Sequence, residues 1–388
     1  MLRVEIGLDA QIHDEFIESQ PLVTLLQTSK WAQVKDSWDS EIIGFYRNEQ
    51  LVASLSVLIR PLPAGFTMLY IPRGICMDYG DRELVEFVLS ELKKYGKSKK
   101  ALFVKFDPAI HAEGGQQVVD VLASFGVKYS GLTAHMKETI QPRYNGIIYK
   151  EDFSEEKLDK KTKQFIRKGR NSYPKVTYGG KELVPVFAEL MKKTEARKQV
   201  SLRDADYYRK LLDIYGSDAF ITLIEYDMGQ LLQETELEIE KIKSNQHQTK
   251  HEKRAKALAE ELERLEKNKE QLGEITAQHG NLIPVAGTLT INAFGAAETL
   301  YAGTDTDFQK YYPSYMAWLE TINHTFEIGA RTLNMGGLEN SLSESDGLLK
   351  FKKHFLPRIE EYVGEFDLPV NKVLFGLAQK VYKRRKMG

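Results

Sequence analysis

Cysteine is almost missing: Cys76 stands alone in 388 residues. A disulfide framework and a cysteine metal cage are both excluded, and this usage fits a reducing compartment. No uninterrupted apolar run reaches ~18 residues, so no segment reads as a membrane-spanning helix. The opening MLRVEIGLDAQIHDEF carries no apolar signal core, and the chain reads as cytoplasmic. A Walker loop, a dinucleotide glycine fingerprint and a G-x-S-x-G elbow are absent too, which removes the usual nucleotide and serine-hydrolase signatures. Net charge is nearly nil, formally −1, so any contact with a polyanion must come from a local patch.

What is present begins with a long interruption. Over residues 228–280 the sequence reads as an antiparallel coiled-coil hairpin. Met228, Leu232, Thr235, Ile239 and Ile242 step by four and three, and Leu258, Leu262, Leu265, Lys269 and Leu272 repeat the step on the way back. Glu, Lys, Gln and Arg fill most of the space between, leaving one apolar seam per limb. At ~1.5 Å per residue the arm projects roughly 35–40 Å. Its roots, residues 219–226 (AFITLIEY) and 282–292 (LIPVAGTLTIN), are strand-like. His247 and His251 have helical metal spacing but no HExxH context, and read as solvated residues at the tip.

A chain of this length exceeds one ordinary core, and its two halves follow one grammar. The first predicts a helix over residues 22–35, strands over 40–46, 51–60 and 67–71, a helix over 82–95, and a buried strand over 101–106 ending in Asp107-Pro108. The second predicts helices over 183–197 and 205–215, strands over 219–226, 282–292 and 298–301, a helix over 311–328, and a strand over 331–334. The reading is two duplicated α/β (α+β) units with mixed sheets. Residues 1–150 form the first. Residues 151–227 and 281–365 form the second, and a closing amphipathic helix within about 366–388 packs back on the first.

Three stretches can carry chemistry. Residues 157–175 (KLDKKTKQFIRKGRNSYPK) mix many cations with Phe165, Asn171 and Tyr173. A solvated surface and a nucleic-acid contact are both open readings, the second because phosphate contact and base stacking need those types together. Residues 380–386 (KVYKRRK) form a second basic cluster, read as a frayed tail. In residues 334–355 (NMGGLENSLSESDGLLKFKKHF), Asp346 can cap a short helix bearing Phe351, Lys352, Lys353 and Phe355. A lysine there either snorkels or stands as a fixed cation facing a cleft.

These stretches, in this order and with an arm in the second half, resemble the FemABX family of aminoacyl-tRNA-dependent peptidoglycan aminoacyltransferases. The resemblance rests on residues 27–35 (QTSKWAQVK), 104–108 (VKFDP), 160–170 (KKTKQFIRKGR), 194–208 (TEARKQVSLRDADYY), 300–318 (LYAGTDTDFQKYYPSYMAW) and 336–355. It implies two GNAT-like domains with a projecting helical hairpin. It also implies transfer of Gly, Ala or Ser from charged tRNA to the stem-peptide lysine of lipid II or UDP-MurNAc-pentapeptide, building the interpeptide bridge. By the same resemblance Lys35 and Arg203, with Trp31 beside them, match positions holding the precursor diphosphate. Asp107, Tyr207 and Tyr301 match positions lining the peptide channel. Lys352, directly after Phe351, matches the lysine at the reaction centre. Lys160, Lys161, Lys163, Arg167, Lys168 and Arg170 become the tRNA contact. The chain departs from the family pattern at Leu356-Pro357 and at Tyr301-Ala302-Gly303.

The implied chemistry needs no ATP and no cofactor, because the donor ester is already activated and aminoacyl-tRNA serves as co-substrate. Amine attack passes through an oxyanion, where a fixed cation such as Lys352 is worth roughly 3–4 kcal/mol. The attacking amine, with a reference pKa near ~10.4, must lose a proton. Asp107 is expected to orient it and is the weaker choice as general base. Two rivals stand beside this reading: an acyl-CoA-dependent GNAT-type acyltransferase, whose pyrophosphate loop is not found, and a non-catalytic coiled-coil interaction protein. The arm is assigned either to tRNA or to a partner, including a homo- or heterodimer, and the basic tail to peripheral approach to a membrane.

Overall fold

Alternating apolar residues build two mixed sheets, and the computed structural model describes residues 1–35, 37–133, 135–198, 203–248 and 251–376. The chain opens with β1 (Leu2–Ile6) and α1 (Ala10–Glu18), then a 3-10 turn at Leu25–Gln27 and the short α2 (Ser29–Val34). The single helix expected over residues 22–35 is therefore broken. The cause is Gln27, whose buried amide donates to Pro72 O at 2.6 Å and Ser56 O at 3.2 Å while accepting from Ser56 N at 3.0 Å. Turning that side chain into the sheet forces Thr28 into extended backbone, and Asp14 caps the restart at Ser29 N, 2.8 Å.

A meander follows: β2 (Asp39–Arg47), β3 (Gln50–Pro61) and β4 (Thr67–Ile71), with β5 (Cys76–Met77) against β3. Next come α3 (Arg82–Ser98), β6 (Ala101–Phe106), α4 (Gln116–Ser124) and β7 (Lys128–Tyr129). Asp81 caps α3, and Leu84, Val88, Leu92 and Tyr95 make its buried stripe. Beyond these lie β8 (Tyr144–Tyr149), α5 (Lys160–Arg170), β9 (Pro174–Gly179), α6 (Val184–Lys198), α7 (Ala205–Tyr215) and β10 (Ala219–Asp227). The hairpin is α8 (Met228–Gln248) and α9 (Glu252–His279). The chain closes with β11 (Leu282–Ala293), β12 (Ala296–Thr304), α10 (Pro313–Glu327), β13 (Thr332–Leu338), α11 (Gly347–Lys353), β14 (Arg358–Glu361) and β15 (Phe366–Pro369).

The first sheet runs β1-β2-β3-β4-β6-β15-β7 and the second β14-β8-β13-β12-β11-β10-β9. Each is antiparallel except for one parallel pair, β4–β6 and β12–β13. A helix makes both crossovers, α3 and α10, because parallel neighbours need a long connection. The repeated grammar of the halves is this shared unit.

Two segments lie differently from the boundaries drawn on the sequence. β8, inside residues 1–150, pairs with β13 and β14 of the second sheet. Residues 366–369, expected as helix, form β15 and fill the slot between β6 and β7. Only after Asn371, whose side chain accepts from Leu374 N at 3.0 Å, does a helical turn begin. Its Leu374 and Phe375 pack against Leu58, Met68 and Phe103 of the first unit. The basic 380–386 cluster lies outside the described residues.

The first core sits between its sheet and α3. The second sheet carries one core under α10 and another under α6 and α7, which Leu25, Leu26, Trp31 and Val34 of the first half complete. The hairpin leaves between Asp227 and Leu282, which are register partners. Met228 and Leu272 at its root are buried in the α10 core. Farther out, Ile239, Ile242 and Leu265 pack with Leu258 and Leu262, following the predicted seam. Lys269 instead reaches Glu236 at 3.0 Å. His247 lies outside the described side chains, and no metal-binding cluster occurs among the described residues. No helix among them is long and apolar enough to cross a membrane.

Candidate active site

A cavity of about 320 Å³ opens between the two units. The first contributes residues 21–26, Arg73 and Gln141-Pro142; the second contributes Tyr149 of β8, Ala296–Glu298 of β12, and Asn334 and Gly337 of β13.

At the α2–α7 junction the sequence-predicted substrate residues converge. Lys210 Nζ on α7 donates to Val34 O at 3.4 Å, tying the two helices. Lys35 lies 5.0 Å from the Trp31 ring and Arg203 4.9 Å from the Tyr207 ring. Tyr207 and Tyr301 meet edge to face at 6.1 Å, and both pack on the core containing Trp31. Burial first, and then Tyr301, raises the Tyr207 hydroxyl above its ordinary range. All five residues thus belong to one aromatic and cationic cluster.

Lys352 sits on α11, whose start Asp346 caps by accepting from Leu348 N at 2.8 Å. The helix drives the side chain inward, where it is 4% exposed. Its ammonium donates to Gly336 O at 2.7 Å and Gly337 O at 2.8 Å. β13 breaks register between Asn334 and Gly337, and Gly336 at φ +86 turns these carbonyls toward the lysine. Phe351 packs edge to face on Tyr315 at 5.2 Å and Phe355 at 5.5 Å.

Asp107, ending β6, is 2% exposed and does not line the main cavity. It accepts from Tyr70 OH at 3.0 Å and Arg73 N at 3.3 Å, with the Arg73 guanidinium at 3.6 Å. Burial pushes its carboxyl up to about 7, and Glu365 adds to this while Arg73 opposes it. Arg73 stands between Asp107 and the cleft: it lines both the main cavity and a small pocket that Asp107 shares. Its guanidinium also donates to Pro142 O at 2.7 Å and lies 4.2 Å from the Tyr362 ring. Behind this, Lys105 is buried 3.1 Å from Glu365 and 3.0 Å from Asp367. Burial opposes its charge, yet the two carboxylates raise its pKa above the usual lysine range.

The basic helix α5 buries Thr162, Ile166 and Gly169 and exposes Lys160, Lys161, Lys163, Arg167, Lys168 and Arg170. Some of this charge is used locally: Arg170 pairs with Glu155 at 2.7 Å, and Lys163 Nζ donates to Glu156 O at 2.7 Å. Phe165, read from sequence as a stacking platform, is stacked on Tyr312 at 4.3 Å. Lys161 lies over Phe165 and Lys168 over Tyr312. A 2.5 Å hydrogen bond between Thr162 and His354 joins α5 to the end of α11, the helix that carries Lys352.

Sequence reasoning missed Arg73 and Glu298. Arg73 follows a strand with no local pattern to mark it. Glu298 did carry a signal, a lone charge among the uncharged residues of the strand-like Ala296-Ala297-Glu298-Thr299-Leu300.

The family model described as the FemAB family matches residues 8–383. A lipid II:glycine glycyltransferase of Staphylococcus haemolyticus is 28% identical over 403 residues, covering 98% of this chain and 96% of that one. One from Staphylococcus aureus (strain USA300) is 28% identical over 400 residues, covering 96% and 94%. The crystal structure of FemX superposes with a TM-score of 0.78 at 27% identity, over 96% of this chain and 99% of that chain. A tandem GNAT protein from the clavulanic acid pathway, at TM-score 0.51 and 10% identity over 95% and 99%, shares the fold. With a family match that spans almost its full length, the chain belongs to the FemAB family.

Proposed function

We propose that this FemAB-family transferase forms a peptide bond between glycine and an amine of the lipid II peptide, extending the peptidoglycan bridge. The donor in this reading is glycyl-tRNA. The observation that carries it is the end-to-end similarity to relatives named lipid II:glycine glycyltransferase. Supporting it, the aromatic and cationic cluster at Lys35 and Arg203 suits a diphosphate: the Arg203 fork grips two oxygens, while Lys35 acts as a point charge. Trp31, Tyr207 and Tyr301 supply the apolar wall beside it.

Lys352 is the cation for the oxyanion that forms when the amine attacks the ester. Because it is buried and pre-oriented by the Gly336 and Gly337 carbonyls, it needs no reorganisation as charge develops. Such a group is worth roughly 3–4 kcal/mol. Asp107 acts on Arg73, and through it on the cleft wall, as a positioning residue. The exposed face of α5 takes the donor's phosphates, and the corner at Thr162–His354 sets its distance from Lys352. The lipid-linked acceptor is met at the inner face of the membrane. Whether the hairpin assists by holding tRNA or a partner copy is decided by deleting it and measuring both bindings.

The test is transfer of labelled glycine by purified protein from glycyl-tRNA to lipid II, with alanyl-tRNA, seryl-tRNA and acetyl-CoA as rival donors. Glycine incorporation from tRNA alone is the expected result. Transfer only from acetyl-CoA, or an unchanged muropeptide profile in cells lacking the protein, rejects the reading.

A further inference from the structure

Three carboxylates line the main cavity: Glu151, Glu298 and Glu360. Two are engaged. Glu151 pairs with Arg358 at 3.3 Å. Glu360 accepts from Tyr149 OH and from the His111 ring at 3.0 Å. Glu298 alone accepts no hydrogen bond from any described residue. A half-buried carboxylate left this way is costly, and the cost is recovered when a donor arrives.

Its position tells what that donor is. Glu298 stands on β12 directly opposite Asn334 of β13, two residues before the Gly336-Gly337 bend that holds Lys352. From the first unit Arg73 faces it, and the Arg73 and Lys352 charges both act on it. Tyr215 and Tyr362 also feel its charge, and Arg331 lies farther along the cleft. Loss of hydration outweighs the two cations and lifts its carboxyl above the usual glutamate range. Asp107, by contrast, is closed off behind Arg73.

We propose that Glu298 receives the ammonium group of the acceptor peptide and takes up the proton which that group must lose before it attacks. The proposal rests on the acceptor reading above. Glu298 takes one of the three ammonium protons and later returns it to water. The neutral nitrogen then bonds to the ester carbonyl carbon, and the carbonyl pair moves onto oxygen beside Lys352. Collapse breaks the ester C–O bond; a second nitrogen proton passes to the departing ribose oxygen, and the third stays on the new amide.

The deciding experiment is calorimetry with two soluble muropeptides, one with a free lysine amine and one N-acetylated, paired with kcat for glycyl transfer. Wild type is expected to bind the free amine at least about tenfold more tightly. Glu298→Gln, nearly isosteric, loses that preference, and its kcat falls about a hundredfold and recovers partly as pH rises. Glu298→Asp keeps the charge and retains an intermediate preference, which guards against a folding artefact in the amide variant. A Glu298→Gln protein that still prefers the free amine, with kcat within twofold of wild type, overturns the assignment while leaving the acceptor intact. A wild-type protein that binds neither peptide overturns the acceptor reading itself, and this proposal with it.

Discussion

The two walls of the cleft handle charge in opposite ways. On the first-unit side Lys105 is enclosed by Glu365 and Asp367, and Arg73 is set against Asp107. On the second-unit side Glu298 takes no hydrogen bond from a described residue, and the hydrogen bonds described for the Lys352 ammonium run to neutral carbonyls. Charges cancelled within the protein fix a shape, whereas a carboxylate that takes no hydrogen bond from its own fold is left to act on something that enters. In the proposed reading the first wall is a brace and the second is a reagent surface.

The hardest blow to that contrast comes from the brace. Replacing Lys105 by Met strands two buried carboxylates and is expected to cost about 3–5 kcal/mol of stability, read by denaturant unfolding. Lys352→Ala is expected to lower single-turnover glycyl transfer about 10²–10³-fold with bound acceptor retained. If Lys352→Ala transfers at the wild-type rate, the second wall is no reagent surface. Smaller is the effect of Asp107→Asn. Because burial raises the folded carboxyl to about 7 from 3.8, the folded state binds more protons than the unfolded one between those values. Its contribution is therefore present in acid and lost as pH rises through 7. The Asn variant should flatten that slope in melting curves taken from pH 4.5 to 8. Lys160→Glu with Arg167→Glu on the exposed α5 face should weaken tRNA binding and reduce its salt slope by about 1 per lost contact, measured by filter binding. Least of all, Lys269→Ala in the hairpin breaks a wet pair with Glu236 and should leave the unfolding midpoint within the scatter of repeat measurements.

Much of this arrangement was legible in the residues. Strands such as Ala101–Phe106 and Thr67–Ile71 announce themselves by composition, and the hairpin by its spaced apolar positions. What stayed hidden depends on partners far away in sequence. β8 and β15 are six and four residues long, too short to show which sheet will claim them. The break at Thr28 follows from bonds that Gln27 makes to residues 56 and 72. The same holds for the site: only the family resemblance pointed to Trp31, Lys35, Arg203 and Tyr207, and the packing of α2 against α7 brings them together. Nothing local to Asp107-Pro108 revealed that Arg73 would stand in front of it.

The placement of β15 has a consequence for how the protein is made. The slot between β6 and β7 is filled by residues 366–369, which are synthesised long after both neighbours. At about 5–20 residues per second, the wait between them is on the order of 10–50 s. Throughout that interval the first sheet stands open beside its β7 edge, with the flanks of β6 and β7 unpaired and exposed to any passing strand. The first sheet is therefore completed only after the residues of the second unit have been synthesised, although most of its strands come first.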